Sequence, residues 1–199
     1  MARARSLLNI QTLILFFLLS FAFWGMRPLY ESTEARYAEA AREMMVFNDW
    51  LVPRLEGEPH LTKPPVTYWI IAWGMDIFGV NTWGARFGHT LIFFATVLLA
   101  VALADAFGLS RQTAQLAGLV YITGGYPYIA GHVVSTDLVL LFFQLLGILA
   151  FWKVWRRAPF IELWRILFWL AFDLAFLQKG PPGWLPLVPI IVFSIVKRK

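Results

Sequence analysis

Six apolar stretches divide this 199-residue chain, at roughly residues 7–26, 86–107, 113–132, 137–155, 160–178 and 182–196. Each approaches the ~20 residues that a helix needs to cross the hydrocarbon core of a bilayer. Lipid offers no partner to a bare N–H or C=O, so stretches of this kind fold as helices packed against one another. Composition agrees: the chain is 59% hydrophobic and 15% charged, with a mean hydropathy of +0.65. An ordinary soluble domain carries about 25% charged residues. The expected fold is therefore all-α: a polytopic membrane protein of about six transmembrane helices, forming a single membrane domain over residues 1–199. The first stretch is longer than a signal-peptide core and lacks a small-x-small cleavage site, which reads as a retained anchor. The last contains Pro186 and Pro189, which disturb its helix. With no Cys in the chain there is no disulfide framework and no thiolate metal site.

The exception to this pattern is the first loop, about residues 27–82. Its charged part reads ESTEARYAEAAREMMVFNDWLVPRLEGEPHLTKPPVTYW over residues 31–69. Ser32 or Thr33 can cap a helix that the Ala- and Glu-rich run 33–46 sustains, with Glu34 in its first turn where the helix dipole favours an anion. Tyr37, Ala41 and Met44 share one face, predicting an amphipathic helix on the membrane with Arg36, Glu39 and Glu43 on its wet side. Asn48-Asp49 and Pro53 end it, and Glu56-Gly57-Glu58-Pro59 marks a turn. Pro64 biases Lys63 to extended backbone and Pro65 suits a helix start, so Lys63 stands on a stiff segment, prepared to meet a phosphate as a point charge. Residues 66–78 are apolar but too short to span, and Tyr68, Trp69 and Trp73 suit headgroup depth; they predict a second interfacial helix.

Charge fixes the orientation. With the N-terminus in the cytoplasm, Arg3, Arg5, Arg111, Lys153, Arg156, Arg157, Arg165, Lys197, Arg198 and Lys199 lie inside, against only Asp105 and Glu162. Most acids fall outside, in or near the first loop. This is the positive-inside asymmetry, with both termini cytoplasmic. The net charge of +5 is thus topological and points to no nucleic-acid partner. Asp173, within the fifth stretch, is expected to face the bundle interior.

The same orientation gathers Glu34, Lys63, Asp137 and Lys179 on the outer side, although they come from distant parts of the chain. Two carboxylates and two ammonium groups near one surface can form a polar pocket. The alternative for each is a plain charged span end. His60, His89 and His132 are scattered, and their spacing supports no metal site. No cofactor is expected.

Four ordered blocks carry a family resemblance: E-A-R-Y-A-E-A-A-R-E-M, D-W-L-V-P-R-L-E-G-E-P, K-P-P-V-T-Y-W and F-G-V-N-T-W-G-A-R-F. Ser135-Thr136-Asp137 and Gln178-Lys179-Gly180-Pro181 continue it. Together they resemble the N-terminal third of bacterial lipid-linked sugar transferases of the GT-C superfamily, the 4-amino-4-deoxy-L-arabinose transferase and dolichyl-phosphate-mannose protein mannosyltransferase relatives. The resemblance implies an inner-membrane enzyme that moves a sugar from a polyprenyl-phosphate carrier to an extracytoplasmic acceptor, a lipid A-type lipid or a protein, with inversion at the anomeric carbon. By the same resemblance Lys63 and Lys179 hold the lipid phosphate, Glu34 and Asp137 position the acceptor or act as general base, and Arg36 supports the loop or joins the phosphate site. Gly180 lets backbone approach the ligand.

Two departures qualify this picture. Where the family commonly has an Asp-Glu pair, this chain has Thr33-Glu34, leaving Glu34 or Glu31 as base unless the acceptor supplies an already ionised oxygen. The family also has about twice as many spans and an outer domain, so the chain is expected to be the N-terminal part of such a protein, inactive alone or completed by a second chain. Two other classes stay open: a non-catalytic polyprenyl-phosphate-binding membrane protein, and a small transporter with an Asp173–His89 relay.

Overall fold

The computed structural model describes residues 8–197, apart from the side chains of Glu31 and Ser32. The expected base role of Glu31, the capping role of Ser32 and the inner charges Arg3, Arg5, Arg198 and Lys199 lie outside it. Nine α-helices and one short hairpin follow in order among the described residues: α1 (Ile10–Phe21), a π-helical turn (Glu31–Ala35) running into α2 (Arg36–Phe47), β1 (Arg54–Leu55) and β2 (Glu58–Pro59), then α3 (Val66–Phe78). After these come α4 (Thr82–Ala106), α5 (Arg111–Thr123), α6 (Gly125–His132), α7 (Thr136–Trp155), α8 (Ile161–Lys179), a 3₁₀ turn (Pro181–Trp184) and α9 (Leu187–Lys197).

Two helices, α4 and α7, are long and apolar enough to cross a membrane. The stretches α1, α3 and Pro181–Lys197 are apolar and shorter. α8 has 19 residues but carries Glu162, Arg165, Asp173 and Lys179. Local chemistry explains these lengths. The expected third span is divided in two: Gly124 takes an extended conformation, and Pro127, three residues on, has no N–H to continue the ladder. The second span starts earlier than expected because Asn81 caps it, its Oδ1 accepting from the N–H of Trp83 at 2.9 Å and of Gly84 at 3.0 Å. Arg86 therefore lies inside the helix rather than at its mouth.

α3 occupies the residues expected of it, and α2 ends at Asn48, whose φ of 51° is left-handed. What α2 rests on differs from expectation. Tyr37, Ala38, Ala41 and Met44 are buried against Tyr68, Ile71, Ala72 and Met75 of α3, with Ala85 and Val134 closing the cluster. The apolar face is the one read from the sequence, but it packs on protein rather than on lipid, because α3 turns a complementary stripe toward it. A second core joins Phe16 of α1, Phe93, Val97 and Val101 of α4, Ala114 and Ile122 of α5, and Leu138 of α7. α3 meets α4 where each is bare: a Cβ at Gly74 would lie 2.3 Å from the Gly84 carbonyl oxygen. Two glycines let these backbones touch.

Asp173 is exposed, contrary to expectation, since Ala171, Phe172, Ala175 and Gln178 take the inward face of α8. His89 is buried elsewhere, its Nε2 lying 2.5 Å from the carbonyl oxygen and 3.0 Å from the N–H nitrogen of Ser135. The two residues form no relay, and the transporter reading loses its basis.

Candidate functional site

One end each of α3, α4, α7 and α8 meets around the segment 132–136, and the charges gathered there fall into two layers. Glu34 forms the inner one. Its side chain is fully buried, and both oxygens are occupied. Arg27 donates through Nη1 to Oε2 at 2.6 Å and through Nη2 to Oε1 at 3.1 Å. Arg86 donates through Nε to Oε1 at 3.1 Å and through Nη2 to Oε2 at 3.0 Å. The backbone N–H groups of Tyr30 and Val134 add bonds of 3.1 and 2.8 Å. Tyr30 precedes the π-helical turn, so the loop helix is capped by the Glu34 carboxylate reaching back and not by Thr33, which was expected to do so. Arg86, 1% exposed, also binds the carbonyls of Arg27 at 2.7 Å and Pro28 at 2.8 Å. Burial alone raises the Glu34 pKa, but the two guanidinium groups and two N–H donors outweigh it and hold it at about 2.

The outer layer is built differently. Lys179, at the end of α8, pairs with Asp137 in the first turn of α7, and their side chains are 28% and 56% exposed. One residue back, the buried Gln178 donates to the Thr67 hydroxyl of α3 and to the Thr136 carbonyl at 3.1 Å. That residue ties three helix ends together. Thr67 stands four residues after Lys63, so the Lys63-Pro64-Pro65 segment is brought to the same corner. Among the described residues Lys63 has no ion-pair partner. Gly180 closes α8 with φ +74°, a conformation that favours glycine, and a Cβ there would meet nothing within 4 Å.

Arg36 is exposed on α2, and its charge acts on both His60 and Tyr68. Burial, then Arg36, lowers the His60 pKa, so the ring is neutral at pH 7; its Nε2 lies 2.8 Å from the Thr62 hydroxyl. Burial pushes the Tyr68 hydroxyl up to about 12, with Thr62 and Arg36 pulling weakly the other way. That phenol is buried without a partner in bonding geometry. A buried, neutral phenol that feels the Arg36 charge is a donor that suits an anionic ligand. An apolar cleft of about 180 Å³, lined by Tyr121, Tyr126, Pro127, Leu138 and Leu141, opens at Asp137. No group of three or more His, Asp and Glu is placed to hold a metal among the described residues.

Sequence reasoning missed Arg27, Arg86 and Val134 as partners of Glu34, and the packing of His60 against Tyr68 near Arg36. The one available signal was Arg86 itself, an arginine four residues inside an apolar helix.

A bundle of apolar helices with a charged cluster where four helix ends meet is the architecture of a helical membrane protein. A profile of the dolichyl-phosphate-mannose-protein mannosyltransferase family matches residues 7–197, and the chain belongs to that family. Family membership and the two long apolar helices make this a membrane protein. It is similar to an uncharacterized protein of Aquifex aeolicus, 33% identical over 87% of this chain and 34% of that one. It is 33% identical to a Proteus mirabilis undecaprenyl phosphate-alpha-4-amino-4-deoxy-L-arabinose arabinosyl transferase, over 84% of this chain and 31% of the relative. Among solved structures, ArnT from Cupriavidus metallidurans bound to undecaprenyl phosphate superposes with a TM-score of 0.84 at 26% identity, covering 95% of this chain and 36% of that one. The chain thus spans about a third of the length of the relatives it matches.

Proposed function

We propose that this chain supplies the donor-phosphate side of a polyprenyl-phosphate-dependent glycosyltransferase that works at the outer face of the bacterial inner membrane. The observation that carries the reading is the corner itself. Lys179 is paired with Asp137, Lys63 stands four residues ahead of the Thr67 that bonds Gln178, and a solved relative of the same fold is bound to undecaprenyl phosphate. In glycosyl transfer from such a carrier the acceptor oxygen attacks the anomeric carbon, the bond to the phosphate oxygen breaks, and negative charge develops on the leaving lipid phosphate. Lys63 and Lys179, with Arg36 at the edge, stabilise that charge in a site partly screened from water. The Tyr68 hydroxyl donates to a phosphate oxygen, and the cleft at Asp137 receives the first apolar units of the carrier.

Glu34 takes a different part from the one the resemblance implies. A carboxylate with a pKa of about 2 and both oxygens occupied is a weak base, so Glu34 positions the loop and takes no proton. Asp137, more than half exposed, serves the acceptor, unless the acceptor brings an ionised oxygen of its own. The orientation with both termini cytoplasmic and about six crossings places this corner outside, and the acceptor is a lipid or a protein.

The test is a membrane assay with a polyprenyl-phosphate sugar donor, comparing wild type with Lys63→Ala and Lys179→Ala. The expected result is lysine-dependent transfer or, if this third of the fold needs other parts for chemistry, lysine-dependent retention of the donor without turnover. Retention that ignores both lysines removes the proposal. Retention without transfer in a full-length relative carrying the same corner favours a polyprenyl-phosphate-binding protein instead.

A further inference from the structure

Glu43 was expected on the wet face of α2, yet it is 5% exposed. Its Oε1 accepts from the N–H of Glu56 at 2.8 Å and its Oε2 from the N–H of Gly57 at 3.1 Å. Those two residues form the tip of the β1–β2 hairpin, with φ of +57° and +81°. Consecutive left-handed residues in a two-residue loop define the turn whose twist matches the paired strands, and they aim successive N–H groups the same way. Such a pair of donors attracts an anion. Here the anion is a side chain of the preceding helix, held inside the protein, and it stabilises a turn in which Glu56 occupies a conformation that suits glycine.

The hairpin leads directly toward the proposed phosphate corner. The His60 N–H returns to the Pro53 carbonyl at 2.7 Å and closes the hairpin, and the His60 ring meets the Thr62 hydroxyl at 2.8 Å. Lys63 is the next residue, and beyond Pro64-Pro65 the chain is anchored again where Thr67 bonds Gln178. Lys63 is therefore suspended between two anchors, one of which ends at the Glu43 carboxylate. An ammonium group on a flexible stem binds a phosphate well only if its backbone is already in place.

We infer that Glu43 is a positioning residue for the lipid phosphate: by clamping the Glu56-Gly57 turn it fixes the hairpin that presents Lys63. The inference rests on the reading of Lys63 as a phosphate ligand. It is tested with the whole chain in nanodiscs, titrated with undecaprenyl phosphate, with amide hydrogen exchange measured on the same samples. Lys63→Ala tests the underlying reading. Glu43→Gln keeps the size but sets an amide against the turn, and about tenfold weaker binding is expected, since small displacements of a binding group carry costs of that order. Faster exchange should be confined to residues 54–62, leaving α4 and α7 unchanged. Adding Glu56→Gly to Glu43→Gln relieves the turn and should recover part of the binding, which a general role in folding would not allow.

If Glu43→Gln loosens α4 and α7 as well, Gly57→Val decides. A Cβ at that position meets nothing within 4 Å, so the substitution strains only the turn, and it should weaken binding as Glu43→Gln does. Wild-type affinity in Gly57→Val, while Lys63→Ala binds poorly, overturns the inference and leaves the phosphate reading standing. Wild-type affinity in Lys63→Ala overturns that reading instead.

Discussion

The two charged layers at this end of the bundle use the same kinds of side chain for opposite ends. Around Glu34, every oxygen and nearly every guanidinium nitrogen is bonded, and the carboxylate and Arg86 are buried. Around Lys179, a single ion pair is partly open to water, Lys63 has no ion pair, and Tyr68 is buried with its hydroxyl unmet. A fully satisfied buried network has nothing left to offer a ligand, and its removal is costly. A part-exposed, under-satisfied group contributes little to stability and keeps its charge for a partner. Residues that looked like one pocket are thus a buried structural keystone and a part-exposed corner, the one proposed to bind.

The largest effect expected of this contrast is on stability. Glu34→Ala leaves Arg86 buried without its counterion, and a loss of about 3–5 kcal/mol follows for breaking such a pair. Thermal unfolding in nanodiscs would show a collapse of the transition or no folded protein. Equal, small shifts for Glu34→Ala and Asp137→Ala would erase the distinction between the layers.

Acid titration sharpens the same point. The Glu34 pKa is depressed from 4.5 to about 2, so its contribution is complete above pH 4.5 and is lost as pH falls from there toward 2. A shift of that size corresponds to roughly 3 kcal/mol. A stability profile that stays flat across this window, or that Glu34→Gln leaves unchanged, would mean that the carboxylate is not held as its bonds suggest. Turnover in a full-length relative with Glu34→Gln addresses the chemistry: near-normal rates in the molecules that fold would exclude an essential base there.

The α3–α4 contact comes next. Gly84→Ala sets a methyl 2.2 Å from the Gly79 carbonyl oxygen, which forces the helices apart. Overpacking of this kind costs about 1–3 kcal/mol. Because both layers depend on how α3 and α4 cross, lipid-phosphate retention should fall with stability in this variant, whereas Lys63→Ala should lower retention alone. Smallest of all is the expected effect of Asp137→Asn on melting, about 0–1 kcal/mol for a part-exposed pair. A larger loss would move that pair into the structural layer.

Local residue order carries the elements and their chemistry. Apolar runs gave helices, the residues of α3 were read correctly, Asn48 ended α2, and Glu56-Gly57 made a turn, because each depends on near neighbours along the chain. Lys179 and Asp137, expected on one side of the bundle from the order of the apolar runs, are paired in the structure. Which charges satisfy one another is settled by how the helices pack. Glu34 and Arg86 are separated by 52 residues, and Glu34 and Val134 by 100. Whether they meet depends on helices that cross at Gly74 and Gly84, a contact that no local pattern announces. Burial is likewise a property of the packed whole: Glu43 and Glu39 sit one turn apart on α2, and the hairpin that folds over one of them leaves the other in solvent, paired with Arg42. Propensity and periodicity act over a few residues, whereas desolvation acts through everything within a few ångströms, so the sequence named the charged residues and the fold assigned their work.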